Sequence, residues 1–170
     1  MAQAFGPENA RLTVRTGRSG AAAKAGHDLL IEVTAWYGTL DPDGDPAVTL
    51  SADPRSLRVL EGTGGMQALD DDDRAGIEQT IDDEVLKGAA IEFRSTRFDG
   101  LPGRVEGELE LAGARRPIGF EVAAGENGGL TGRAVVRQSD WGLKPYSALF
   151  GTLKVADEVE VRVEPRAHAG

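Results

Sequence analysis

The chain has 170 residues, of which 40% are hydrophobic, and this is enough for one domain with a buried core. Its net charge of −9 disfavours binding to nucleic acid or to anionic membrane surfaces. The complete absence of cysteine excludes disulfides, thiolate metal ligands and a cysteine nucleophile.

The N-terminal segment and the overall composition predict a compartment and a domain organisation. Residues 1–8 lack the basic and apolar regions of a secretory signal, and no stretch is long enough to span a membrane. We therefore expect a cytoplasmic protein without stable membrane insertion. We find neither a linker nor an internal repeat, so we expect residues 1–170 to form a single domain, as a monomer or a homodimer.

The N-terminal half contains four predicted strands. Leu12 and Val14 alternate with polar residues, and residues 29–37 suggest a longer strand. Alternation returns at residues 48–52, and a short candidate follows at residues 57–60. Turn-forming residues separate these segments, as is typical of hairpins.

A single helix interrupts the strands. Ile77, Ile81 and Val85 recur at every fourth position and form an apolar stripe, which predicts a helix over residues 70–87. Gly88 stands where such a helix ends. We expect the helix to cover a barrel mouth or a sheet face.

The C-terminal half has the strongest period of two. Residues 104–111, 118–122 and 158–164 alternate between apolar or Gly and mostly charged positions, and weaker strands are predicted at 91–98 and 130–137. Half-buried strands of this kind belong to antiparallel sheets. The sequence therefore predicts an all-β fold with one helix, a lipocalin-like antiparallel β-barrel of about eight strands.

Catalytic and metal-binding motifs are weak. His27 and Asp28 are adjacent on a predicted strand, so their side chains point to opposite faces and cannot easily share a proton. The acidic segment 41–45 resembles the start of a calcium loop, but its twelfth position is Ala52, so we interpret it as a hairpin turn. Residues 70–73 are interpreted as a solvated helix start. We expect no catalytic residue, no metal and no cofactor.

Aromatic and small residues indicate a ligand-binding interior. Small inward side chains leave space in an eight-stranded barrel, although they can also mark bends and bulges. The candidate small residues are Ala35, Ser95, Gly107, Gly119, Gly132 and Ala134. The candidate aromatic lining is Trp36, Phe93, Phe120, Trp141, Tyr146 and Phe150. Trp36 lies four positions after Glu32 on the predicted strand, so the two side chains would share a face, and this argues that Trp36 points outward.

Several motifs, in this order along the chain, are similar to those of the YceI-like family of lipid- and polyisoprenoid-binding proteins. The similarity begins at His27, includes Gly107-Glu-Leu109, and is closest at Arg137-Gln-Ser-Asp-Trp-Gly142, where family members often carry Arg-Ser-Asp-Phe-Gly or Asp-Trp-Gly. It ends at Val155-Ala-Asp-Glu-Val159, which resembles the family's Val-Gly-Asp-Glu-Val. The resemblance implies a lipocalin-like barrel with a helix beside it, a tunnel for a prenyl-type chain, and no accepted catalytic residue.

Three functional hypotheses follow from these observations. The first is non-catalytic binding or carriage of a long apolar ligand (a polyisoprenoid, a quinone tail or a fatty-acyl chain) by the aromatic residues and His27. The second is an enzyme or isomerase that acts on a lipid-like substrate in the same cavity, with His27 and Asp140 as its titratable pair. The third is an empty-barrel scaffold or stress-response protein, which would have an interior filled by its own side chains.

Overall fold

A computed structural model describes residues 3–19, 28–63, 71–124, 129–143, 147–148, 153–155 and 157–165. In chain order the strands are β1 (Gln3–Phe5), β2 (Ala10–Arg15), β3 (Arg18–Ser19), β4 (Asp28–Val33), β5 (Trp36–Leu40), β6 (Val48–Ala52), β7 (Leu57–Thr63), β8 (Ile91–Phe98), β9 (Gly103–Leu111), β10 (Ala114–Ala124), β11 (Leu130–Arg137), β12 (Ser147–Ala148), β13 (Leu153–Val155) and β14 (Glu158–Pro165). The helix α1 (Asp71–Thr80) continues into a π-helical turn, Ile81–Leu86, and short 3-10 helices occupy Pro54–Ser56 and Gln138–Trp141.

Eleven of these strands form one antiparallel sheet in the order β1-β5-β6-β8-β9-β10-β11-β14-β2-β4-β7. The three remaining strands form a small sheet in the order β12-β13-β3. The antiparallel, lipocalin-like architecture with one helix is therefore confirmed, but the main sheet has eleven strands rather than about eight.

The connection between β4 and β5 shows that the main sheet is curled. β4 lies beside the edge strand β7, and β5 lies beside the opposite edge strand β1. Only Thr34 and Ala35 separate β4 from β5 in the sequence. A connection of this length spans about 11 Å at most, so the two ends of the strand order lie close together. The sheet is consequently a curled half-barrel with an inner and an outer face.

The same connection corrects the predicted strand over residues 29–37. Thr34 donates its backbone N–H to the carbonyl oxygen of Ser56 at 2.8 Å, and its hydroxyl donates to the same oxygen at 2.7 Å. Ala35 is exposed, not inward as expected. These bonds hold the chain at a corner between β4 and β5, and the corner changes the inward positions from odd residue numbers on β4 to even residue numbers on β5.

Alternation in the C-terminal strands behaves as predicted. On β9, Val105, Gly107 and Leu111 are buried, whereas Arg104 and Glu106 are exposed. The outer face carries cross-strand ion pairs such as the one between Arg133 Nη2 and a Glu160 carboxylate oxygen, at 3.0 Å. Charged side chains on one face and apolar side chains on the other place the core inside the curl.

The predicted helix over residues 70–87 is divided into two parts. Regular α-helix ends at Thr80, and residues 81–86 form the π-helical turn. Lys87 and Gly88 then take left-handed conformations, with φ of 55° and 69°, and the backbone N–H of Lys87 donates to the carbonyl oxygen of Asp82. The position of Gly88 at the helix end agrees with the prediction.

Candidate ligand-binding cavity

The inner face of the sheet and one face of α1 line a cavity of about 730 Å³ that is open to solvent. Its wall is mainly apolar and includes the hydrophobic residues Leu12, Val14, Leu29, Ile31, Val33, Leu40, Leu50, Leu57, Ile91, Leu109, Leu111, Ile118, Val122, Leu130 and Val136. Neighbouring β11 and β14 contribute a group that we call the valine wall: Gly132, Ala134, Val159, Val161 and Val163. All five residues of the valine wall are only half-buried, although they point inward.

Three of the predicted aromatic residues line this cavity. Phe93 and Phe120 lie with ring centroids 5.3 Å apart and with their planes tilted by 56°. Trp36 also lines the cavity and is buried, so the outward orientation suggested by its parity with Glu32 is wrong. The corner at Thr34 and Ala35 is the cause, because it changes which face Trp36 occupies. Its indole N–H has no hydrogen-bond partner among the described residues.

Trp141 occupies a different place from the one predicted. It is buried, but it is not among the described residues that line the cavity. Its indole N–H donates to the carbonyl oxygen of Leu109 at 2.7 Å. The ring therefore fixes the Gln138–Trp141 helix against β9, and Trp141 is a structural residue. The other predicted site residues, Tyr146, Phe150 and His27, lie outside the described residues.

The small residues divide between the two faces. Ser95 and Gly107 are buried, and Gly132 and Ala134 line the cavity, as expected of inward positions. Gly119 is outward, because a Cβ atom there would meet the guanidinium of Arg104, an exposed residue, at 2.4 Å. Its neighbours Ile118 and Phe120 line the cavity, so the alternation of β10 itself requires Gly119 to face outward.

The motif that begins at Arg137 has a structural role. Ser139 donates its backbone N–H to one carboxylate oxygen of Asp157 at 2.8 Å, and its hydroxyl donates to the other. The backbone N–H of Gln138 donates to the carbonyl oxygen of Asp157 at 2.8 Å. These bonds join the end of β11 to the start of β14. Asp140 is exposed and does not line the cavity, so it is not positioned as the titratable partner of a group inside it.

The family model for the YceI-like domain matches residues 18–167. The chain belongs to the YceI-like family. Two of the stretches that resemble the family, one containing Ser139 and the other Asp157, meet at the junction between β11 and β14.

Solved structures share this YceI-like fold. BcnA of Burkholderia cenocepacia aligns with a TM-score of 0.64 and 15% identity, over 94% of this chain and 96% of that chain. A polyisoprenoid binding domain from Saccharophagus degradans, described as implicated in plant cell wall breakdown, aligns with a TM-score of 0.59 and 12% identity, over 95% of this chain and 94% of that chain. The YceI protein of Campylobacter jejuni aligns with a TM-score of 0.53 and 13% identity, over 81% and 85%. A search of curated proteins found no match.

The acidic side chains in the described part of the fold do not form a metal site. Within those ranges no group of three or more His, Asp or Glu side chains is arranged to hold a metal ion. The acidic segment 41–45 closes on itself as a turn, with the N–H of Gly44 donating to the carbonyl oxygen of Asp41 at 2.9 Å. No helix in the described ranges combines the length and the apolar character needed to cross a membrane.

Sequence reasoning expected the helix to cover a barrel mouth or a sheet face, but it named the cavity-lining residues of neither α1 nor β14. Asp72, Gly76 and Thr80 line the cavity from the helix, and they are polar or lack a side chain, so no hydrophobic signal marks them. Val159 and its partners on β14 were recognised as one apolar face of a strand. Their alternation could have placed them in the lining, because that face has to point into the curl.

Proposed function

We propose that this YceI-like protein binds or carries a long apolar molecule (a polyisoprenoid, a quinone tail or a fatty-acyl chain) in its cavity without chemical conversion. The observation that carries the proposal is the apolar cavity of about 730 Å³. Protein interiors contain few voids larger than a water molecule, so this space is not an ordinary packing defect. Small-molecule sites measure about 300–1,000 Å³, and the cavity has that size.

The similarity to the Saccharophagus degradans polyisoprenoid binding domain supports the same class of ligand. The apolar character of the cavity wall also supports a long apolar ligand. Each methylene that leaves water for an apolar wall contributes about 0.8 kcal/mol. A chain with many methylenes therefore gains affinity without specific polar contacts, and this gain offsets the entropic cost of ordering it.

Of the two alternatives, the scaffold is disfavoured by the cavity, because a scaffold barrel would fill its interior with side chains. The enzyme hypothesis required Asp140 to face the cavity, and Asp140 is exposed outside the described lining. We therefore propose that the bound molecule leaves the cavity unchanged. Mass spectrometry of the ligand before and after prolonged incubation with the protein tests this point, and any new product would contradict it.

A titration with geraniol, farnesol and geranylgeraniol tests the carrier function. We expect affinity to rise with chain length until the cavity is full, because methylenes beyond that point stay in water. We expect salt to have little effect, since a neutral chain is not recognised by charge. Affinity that ignores chain length, or that vanishes at moderate salt, would contradict the proposal.

The valine wall offers a matched pair of variants for the same titration. Ala134→Leu adds volume inside the cavity, whereas Val135→Leu adds it at the next residue, which is exposed on the outer face. We expect Ala134→Leu to weaken binding of geranylgeraniol more than that of geraniol, because it shortens the available space. Val135→Leu should leave both affinities unchanged. Equal effects of the two variants would show that the ligand is not bound against the valine wall.

A further inference from the structure

Helix α1 occupies the position that another strand would take at the β7 edge. On one side β7 pairs with β4. On the other side, the backbone N–H of Val59 on β7 donates to a carboxylate oxygen of Glu78 on α1, at 2.9 Å. A backbone donor that would normally bind a neighbouring strand is thus satisfied by a helix side chain. The wall of the cavity at this edge is therefore built by a helix.

One face of α1 and the following turn lines the cavity. Asp72, Gly76, Ile77, Thr80 and Ile81 recur on it at helical spacing, and Leu86 at the end of the turn also lines the cavity. Gly76 stands in the middle of this face, and a Cβ atom built there would have no other atom within 4 Å. The space beside Gly76 is therefore open.

Exposure identifies where the cavity meets solvent. Asp72, Gly76 and Arg133 are the described lining residues that are also exposed. Arg133 turns its guanidinium to the outer face, where it pairs with Glu160 at 3.0 Å. Asp72 and Gly76, one helical turn apart, therefore mark the opening, and we call this pair the cavity mouth.

The charge at the cavity mouth is negative. Asp72 and the adjacent Asp71 are exposed, and neither forms an ion pair within the described part of the chain. The N-terminus of a helix contributes about half a positive charge, which the full charge of the Asp72 carboxylate outweighs. Neither Asp71 nor Arg74 lines the cavity, so Asp72 is the charged residue that the described part of α1 contributes to its wall.

We propose that the cavity mouth is the portal through which the ligand passes, with Gly76 leaving room for the chain and Asp72 disfavouring an anionic head group. This rests on the proposed carrier function and deepens it. A chain entering beside Gly76 meets no side chain from that position. A carboxylate or phosphate head meets the charge of Asp72 in the mouth, whereas the hydroxyl of an alcohol does not.

The first experiment tests the passage of the chain. Stopped-flow mixing with geranylgeraniol, followed by tryptophan fluorescence, is applied to the wild type, Gly76→Leu, Gly76→Ala and Ala75→Leu. Ala75 is exposed and does not line the cavity, so it is the matched control. We expect Gly76→Leu to slow association about tenfold or more, because uptake through a portal is limited by its free width.

The controls separate steric closure from other effects. Gly76→Ala raises helix propensity but adds only a methyl group, so it should retain an association rate near that of the wild type. Ala75→Leu should behave in the same way. Circular dichroism verifies that all variants are folded. Equal rates for Gly76→Leu and Ala75→Leu would overturn the portal. Absence of binding by the wild type would instead contradict the carrier function itself.

The second experiment tests the selection by charge with palmitate and hexadecanol, which share one chain length. We expect Asp72→Asn to increase the affinity for palmitate several-fold and to leave that for hexadecanol unchanged. Asp83→Asn is the control, because Asp83 is exposed and lies outside the lining. An equal response of both ligands to Asp72→Asn, or an equal gain for palmitate from Asp83→Asn, would overturn the charge selection.

Discussion

The inner face of the sheet contains two regions with the same alternating pattern and different outcomes. In the first, which we call the filled end, Phe93, Val105, Phe120 and Val122 pack together. Phe93, Phe120 and Val122 border the cavity on one side, whereas Val105 lies behind them and is 0% exposed. In the valine wall, the inward residues remain half-buried and face the cavity. Alternation therefore decides which face a side chain takes, and the volume of the neighbouring side chains decides whether that face is packed.

At the filled end, two strands also approach each other closely. A Cβ atom at Gly107 would lie 2.3 Å from the carbonyl oxygen of Arg94 and 2.7 Å from Cα of Ser95. The pairing of β8 with β9 shifts register between Ser95 and Arg97, which brings this backbone inward. At the valine wall, by contrast, the two atoms nearest to a Cβ atom at Gly132 would be side-chain methyl groups at 3.2 and 3.3 Å, and the backbone oxygen of Glu121 would be at an ordinary contact distance of 3.7 Å.

The largest expected effect on stability comes from adding a side chain at Gly107, where β8 and β9 approach closely. Gly107→Val should destabilise the protein by about 3 kcal/mol or more, because the new side chain collides with backbone that cannot move aside. Gly132→Ala should change the free energy of unfolding by less than about 1 kcal/mol, since methyl groups can shift by tenths of an ångström. Urea unfolding measures both values. Similar losses in the two variants would show that the regions do not differ in packing.

Replacing one valine in each region by alanine compares the packing of the two regions directly. Val105→Ala in the filled end should cost about 2 kcal/mol, because it removes two methyl groups from a closed core. Val161→Ala should cost about 1 kcal/mol or less, because its side chain already borders open space and gains little from packing there. Thermal and urea unfolding of the protein without ligand tests this difference. A larger loss at Val161 would show that the valine wall is packed in solution.

Glu78→Ala, at the edge where α1 meets β7, should lower the free energy of unfolding by about 1 kcal/mol. The substitution leaves the N–H of Val59 without its carboxylate acceptor in a partly buried position. Hydrogen exchange should show faster exchange of the Val59 amide, with little change at Val105. The exposed neighbour Gln79 provides the control substitution Gln79→Ala. Unchanged protection of Val59 in Glu78→Ala would contradict a helix that replaces a strand at this edge.

The smallest effect is expected on the outer face. Arg137 and Glu158 are 3.4 Å apart, and each side chain is 58% exposed, so solvent screens their attraction. A double-mutant cycle should give a coupling energy below about 0.5 kcal/mol. A coupling above about 1 kcal/mol would show that the outer ion pairs contribute more to the curled sheet than their exposure implies.

The two tryptophans show how far sequence patterns reach. The inward orientation of Trp36 can be predicted only if the corner at Thr34 is known. There, two hydrogen bonds from Thr34 to the carbonyl oxygen of Ser56 hold the corner, which changes the face that Trp36 occupies. Trp141 was grouped with the ligand-binding aromatics because both size and hydrophobicity suited that role. Its hydrogen bond to Leu109, 32 positions away, holds it elsewhere, and no local pattern signals such a contact.

By itself the sequence determined the antiparallel sheet, the inward faces of β8, β9 and β14, and the presence of a helix after β7. These features follow from periods of two and of about four residues, which are local properties of the chain. Only the tertiary structure decided that eleven strands share one sheet, that α1 forms a cavity wall, and that Asp72 and Gly76 stand at its mouth. The physical reason is that a cavity is made by residues distant in sequence, and its shape depends on how the sheet curls.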